Sequence, residues 1–208
     1  HGANRLGASS LMQAAGDGFF ILPVTISNYL AGEIRSAPVP LSHPEFEAAE
    51  KTAVARLNRL ISIKGNQTAG SFHRRLGKIM WDHCGMTRNE EGLKKALVLI
   101  RELRDEFWQN LNVPGTIYEL NQELEKAGRV ADYFELAELL VNDALERKES
   151  CGAHFREEYQ TPDGEARRND AEYAYVAAWE YTGENTPHVL HREELKFEEV
   201  ELRERSYK

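Results

Sequence analysis

From residue 45 to residue 149, apolar residues return every three or four positions with few interruptions, and this spacing constrains the fold more than any other feature. An α-helix turns once in about 3.6 residues, so such a run predicts amphipathic helices, each with one stripe to bury. Residues 45–63 carry Phe46, Ala49, Ala53, Leu57, Leu60 and Ile61 at that spacing. After the loop at 64–70, residues 71–84 carry Phe72, Leu76, Ile79 and Met80. Asn89 is the expected N-cap of a third helix, with acids in its first turn and a stripe of Leu93, Ala96, Leu97, Ile100, Leu103, Phe107 and Leu111. Pro114-Gly115 breaks the pattern, and residues 117–149 resume it with Leu120, Leu124, Ala127, Ala131, Phe134, Ala137, Leu140 and Ala144. Short joining loops favour antiparallel neighbours. The expected fold is therefore mainly α, an antiparallel helical bundle over 45–149.

The flanks differ from this middle. Ser9 or Ser10 is a plausible N-cap for a helix over 10–22, where Gly16 and Gly18 would allow close approach to another backbone or a cofactor. Pro23 should kink or end that helix, although residues 24–30 could continue it. Residues 31–44 hold Pro38, Pro40 and Pro44 and read as a linker. Beyond Ser150, Thr161-Pro-Asp-Gly is a turn. Residues 173–181 alternate as a strand does, although their alanines also suit a helix. Residues 189–191 and 195–202 read as short charged edge strands. Three segments are expected: 1–44, the bundle at 45–149, and a small α/β subdomain at 150–208.

Composition narrows the partners. Net charge is −8, and residues 151–208 hold 14 acids against 8 bases, so nucleic acid is not an expected partner. Two cysteines, Cys84 and Cys151, cannot build a disulfide scaffold and fit a reducing compartment. The clean apolar run from Phe19 to Ile26 is far short of the ~20 residues that span a bilayer. No signal peptide is expected. The chain opens at His1 without an initiator Met, which reads as a piece cut from something longer.

Residue by residue, few groups point to chemistry. His188 and His191 have no neighbours to complete a metal set and read as surface strand residues. His73 and His83 face different sides of one helix, and Cys84 ends an apolar face as core filler. The alternating acidic tail reads as a solvated edge. These patterns alone describe an acidic, mostly helical domain.

The opening phrase His1-Gly2-Ala3-Asn4-Arg5-Leu6-Gly7, followed by Ser10-Leu11, closely resembles a signature of the flavoprotein subunit of succinate dehydrogenase and fumarate reductase, with Ser9 where Asn is usual. Arg88-Asn89-Glu90 and the leucine-rich helix after it resemble the family's helical domain. The segment from Glu149 to Tyr159 (ESCGAHFREEY) resembles the family's S-R-G-A-H-x-R-x-D-Y, with Cys151 in place of the usual Arg. The closing Arg205-Ser206-Tyr207-Lys208 resembles some bacterial C-termini. The resemblance implies a spectrin-repeat-like bundle, preceded by the last strip of an FAD-binding domain.

It also implies site residues. Arg5 matches the family's substrate arginine, and a guanidinium fork suits the carboxylate of succinate or fumarate as lysine cannot; the alternative is an Arg tying a loop to a carbonyl. Ser10 and Leu11 match the pair that contacts FAD, where a helix start would favour the reduced, anionic ring; the alternative is an ordinary N-cap. No catalytic role is assigned to His154, which reads as a packed structural residue, and the change at Cys151 puts that position's family role in doubt. The G-x-G-x-x-G turn and the capping domain that the family requires lie outside this sequence.

The expected function is hydride transfer between succinate/fumarate and FAD. Electrons would pass to an iron–sulfur subunit and, through a membrane anchor, to quinone. The expected location is cytoplasmic, peripheral on the inner face of a bacterial membrane through these partners, with the isolated chain inactive. Two rivals remain. L-aspartate oxidase shares the fold and a similar opening phrase, but its C-terminal region usually stops sooner. The other is a non-catalytic helical module that docks partner subunits.

Overall fold

The computed structural model describes residues 8–183 and 186–199. Its elements follow in chain order as α1 (Ser9–Gly16), a π-helical turn (Asp17–Ile21), α2 (Leu22–Leu30), α3 (Pro44–Ser62), α4 (Ala69–Cys84), α5 (Glu90–Asn110), α6 (Gln122–Glu146), α7 (Asp170–Tyr173), β1 (Tyr175–Glu180) and β2 (Val189–Glu194). The fold is mainly helical, with one small antiparallel sheet in which Ala177 stands opposite Arg192 and Trp179 opposite Leu190.

The core lies among α4, α5 and α6, each of which touches the other two. Phe107 is at its centre, edge-on to Phe72 at 5.2 Å and to Phe134 at 5.4 Å between ring centroids. All three rings are fully buried. Each helix starts on a side chain that accepts a first-turn N–H: Thr68 from Ser71, Asn89 from Gly92 and Asn121 from Leu124. Asn89 is thus the cap that the sequence predicts. The α3–α4 and α5–α6 loops are tied together, with Gly65 N–H donating to Leu111 O and Asn112 N–H to Gln67 O. A Cβ at Gly65 would sit 2.1 Å from the Asn110 carbonyl carbon, so this crossing requires glycine.

Several expectations are corrected. The last long helix begins at Gln122, because Gly115 (φ +84°) and Asn121, which donates to Pro114 O, shape an ordered loop before it. Leu120, expected in the stripe, is 96% exposed in that loop. Leu140 is also exposed: Val141, seven residues after Phe134, takes the inward place one step along the helix. In α3 only Leu60 is buried, while Leu57 and Ile61 are half-buried. Phe46 is exposed, because the first turns of α3 run where no described residue covers them.

At the other end, Tyr173 closes the one-turn helix α7 and the strand begins at Tyr175. The second strand runs to Glu194; residues 195–199 are not strand, and 200–202 lie outside the described residues. Leu195 N–H turns back to Ala174 O. The turn at 161–164 forms as expected, with Gly164 N–H on Thr161 O.

Candidate functional site

Two segments carry the residues that the sequence singles out. The first is the N-terminal helix. Its N-cap is Ala8, at φ 58°, and makes no side-chain cap; Ser9 and Ser10 are the first helical residues rather than caps. Met12 N–H donates to Ala8 O, so the N–H groups before it have no carbonyl within the helix to receive them. Ser10 is half-buried and Leu11 exposed at this end. Arg5 lies outside the described residues.

Pro23 does not end this helix. The π-helical turn sends Leu22 N–H to Asp17 O, one residue further back than an α-helix would, and so absorbs the register change before a proline without an N–H. From Ser10 to Leu30 no residue is buried, although the surface carries Leu11, Met12, Phe19, Phe20, Ile21 and Tyr29. Phe19 and Phe20 are 80% and 74% exposed. Nothing lies within 4 Å of a Cβ built on Gly16 or Gly18, so neither makes the close approach expected of it among the described residues. No described residue covers this apolar surface, which is larger than folded domains usually leave bare.

The second segment, 149–159, is a structural knot. Glu149 is buried; it accepts Arg147 Nη1 at 2.7 Å and Asn169 N–H at 2.8 Å. The Ser150 hydroxyl accepts Arg156 N–H at 2.8 Å and donates to Arg156 O at 3.2 Å. Arg156 is 1% exposed: Nη1 donates to Ala144 O near the end of α6, and Nε reaches Glu158 at 3.1 Å. Glu158 in turn accepts Glu90 N–H, at the start of α5. Burial pushes the Glu158 carboxyl up, but Glu90 N–H and the Arg156 guanidinium outweigh it, and its pKa lies below the usual carboxylate value. Arg88 N–H on Phe155 O and Glu157 N–H on Arg88 O complete the tie between the end of α6 and the start of α5.

His154 sits inside this knot. Its Nε2 lies 2.9 Å from Arg147 O and its Nδ1 3.2 Å from Arg88 Nη1. That network assigns the proton to Nε2, which donates to the carbonyl, while Nδ1 accepts from Arg88. Burial first, then the positive charges of Arg88, Arg156 and Arg147, hold its pKa below the ordinary histidine value, and the carbonyl bond only partly opposes them. A neutral, packed histidine fits the structural role expected for it. Cys151 is half-buried, its backbone paired with His154 across a tight turn. Burial pushes its thiol up, so it stays protonated.

Sequence reasoning gave no function to Arg88 or Arg156. One signal was available: Arg156 is the only cation from Glu149 to Tyr159, in company with Glu149, Glu157 and Glu158, and a cation so placed is readily held in ion pairs. His73 stacks on Tyr133, and His191 pairs with Glu180 at the surface. His188 lies against Tyr181. No group of His, Cys, Asp or Glu among the described residues could hold a metal ion. No helix of the described residues is long and apolar enough to cross a membrane.

Comparison with known proteins locates these features. Residues 73–207 match the family described as the fumarate reductase flavoprotein C-terminal region. The chain is 28% identical to a fumarate reductase flavoprotein subunit of Helicobacter pylori (strain 26695), over 97% of this chain and 27% of that protein. It is 30% identical to a succinate dehydrogenase flavoprotein subunit of Bacillus subtilis, over 83% of this chain and 28% of that one. Among solved structures, a quinol–fumarate reductase with menaquinol molecules superposes with a TM-score of 0.74 at 22% identity, over 97% of this chain and 33% of that one. The chain thus spans between about a quarter and a third of the length of these proteins.

Proposed function

Since the chain belongs to the family of fumarate reductase flavoprotein C-terminal regions, we propose that it works as the C-terminal part of a flavoprotein oxidoreductase subunit interconverting succinate and fumarate. The observation that carries this reading is the bare apolar helix at 9–30, which directly follows the phrase His1 to Gly7 and needs a large partner surface to cover it. In this reading residues 1–44 are the last strip of an FAD-binding domain, residues 45–149 a helical domain and residues 150–208 a terminal subdomain.

The residues present fit one edge of a flavin site. At the start of α1, Ser10 and Leu11 offer N–H groups without helical acceptors, together with the positive end of the helix dipole. FAD, when bound, accepts or returns a hydride at the substrate carbon. Ser10 and Leu11 would hold hydrogen-bond donors toward the ring, and Arg5 would grip a substrate carboxylate through its two-pronged guanidinium. The exposed apolar residues from Leu11 to Tyr29 exclude water when the rest of the domain lies over them. Electrons held by the flavin would pass to an iron–sulfur subunit and, through a membrane anchor, to quinone. The relatives named as fumarate reductase and succinate dehydrogenase subunits support this assignment, as does the likeness to a structure that contains menaquinol. The subunit is peripheral, on the inner face of the membrane.

Two measurements test the reading. The 208-residue chain alone should purify colourless and bind neither FAD nor fumarate tightly; a yellow preparation near one flavin per chain would overturn its status as a part. In the longer subunit, Arg5→Lys should remove most of the turnover while FAD remains bound. Unchanged kinetics would take Arg5 out of the substrate site.

A further inference from the structure

The end of α6, the 149–154 turn and the start of the hairpin enclose a cavity of about 680 Å³. Its walls are mostly apolar, with Tyr173, Tyr175, Val176, Leu195 and Phe197 along one side. Charged groups also line it, and nearly all are satisfied by each other. Arg147 is bound to Glu149 and to the carbonyls of Tyr173 and Tyr175. Arg168 grips both oxygens of Asp170. Asp143 accepts the indole N–H of Trp179 at 2.8 Å.

Arg88 is the exception. Its Nε donates to Gly85 O at 3.1 Å, and its Nη1 reaches the neutral His154 ring. Among the described residues no carboxylate makes an ion pair with it, and its Nη2 edge is open to solvent. The thiol that lies in its field is that of Cys84, which burial pushes up, so it supplies no negative charge. The guanidinium is half-buried, and the group that its open, two-pronged edge fits best is a carboxylate.

We propose that this cavity is a binding site for a small carboxylic acid with an apolar body, its carboxylate on Arg88 and its body against Tyr173, Tyr175 and Phe197. The site uses no residue of the N-terminal phrase and stands independently of the reading above. Its dimensions suit such a ligand, since cavities that bury small organic molecules measure roughly 300–1,000 Å³.

The probes are benzoate, its uncharged isostere benzamide, and acetyl-aspartyl amide, which presents a carboxylate on a short polar stem. Each is titrated into the 208-residue chain at pH 7.5 while NMR follows the His154 ring and the Cys151 amide. Benzoate should give saturable shifts at both, with benzamide at least about tenfold weaker. Arg88→Gln should abolish saturation. Arg88→Lys, which keeps the charge without the fork, should weaken benzoate about threefold or more. Circular dichroism verifies that each variant is folded, and the benzoate–benzamide contrast needs no variant. Equal binding of benzoate and benzamide, no saturation by benzoate, or unchanged binding in Arg88→Gln would overturn the site. Saturation by acetyl-aspartyl amide alone would also overturn it, assigning Arg88 to a protein carboxylate instead.

Discussion

The N-terminal helix and the α4–α6 bundle carry similar apolar residues to opposite ends. In the bundle, Phe72, Phe107 and Phe134 meet edge-on with no exposure at all. In the helix at 9–30, Phe19, Phe20 and Tyr29 stand almost entirely in solvent. Both regions are helical, so propensity and capping do not separate them. The difference lies in whether another described element packs across the apolar face. Burial makes the first set a source of stability within this chain, whereas the second set can gain stability only from surface this chain does not supply. The bundle is thus a folding unit, and the helix is one half of an interface.

The largest effect expected from testing that contrast is at the centre of the bundle. Phe107→Ala removes the ring shared by Phe72, Trp108 and Phe134. It should cost about 4 kcal/mol of unfolding free energy in urea titration. A loss below about 1 kcal/mol would mean that the three-ring cluster is not the core's keystone.

A second effect tests the knot that ties the end of α6 to the start of α5. Arg156→Met keeps the apolar stem but leaves Ala144 O without its guanidinium donor and Glu158 without its ion pair. The expected loss is about 3 kcal/mol, read by the same titration. If stability is unchanged, the 149–159 segment is not what holds the end of α6 to the start of α5.

Next comes pH. The pKa of His154 is depressed in the fold by burial and by the charges of Arg88, Arg156 and Arg147, whereas in the unfolded chain it titrates near 6.5. Lowering the pH therefore protonates the unfolded state first. The stability held by the neutral ring is fully present above about pH 6.5 and is lost as pH falls through the folded value. Urea midpoints should decline between pH 7.5 and pH 5.5, and His154→Gln should flatten that decline. A variant with the same slope as the parent would place the proton uptake elsewhere.

How much of this was legible beforehand divides along the same line. The bundle's helices could be read from spacing because their stripes are buried by one another, and Asn89 could be named as a cap because capping is local. Leu120 and Leu140 misled because periodicity alone cannot say where a loop ends or which of two adjacent apolar residues turns inward. At Pro23 the sequence leaves both a stop and a continuing helix open, and the wide turn before it selects continuation. Arg88 escaped functional notice because its interest lies in what it lacks, an anion, and a sequence does not display a missing partner. The covering surface for the N-terminal helix could not be read from bundle-type periodicity either, since its pattern has no counterpart within the chain.

The smallest expected effect is therefore the most pointed. Replacing Phe19 and Phe20 together by Ser removes two large rings that touch no buried core. Within this chain the unfolding free energy should stay within about 0.5 kcal/mol of the parent, because nothing is uncovered that was covered. The same double change in the longer subunit should lower stability by several kcal/mol, since each ring would there lose a buried site worth about 3 kcal/mol or more. Equal effects in the two settings would erase the distinction between a folding unit and half an interface. A large loss in the short chain would mean that the helix already has a partner within the bundle. A loss confined to the longer protein would locate its partner outside the residues of this chain.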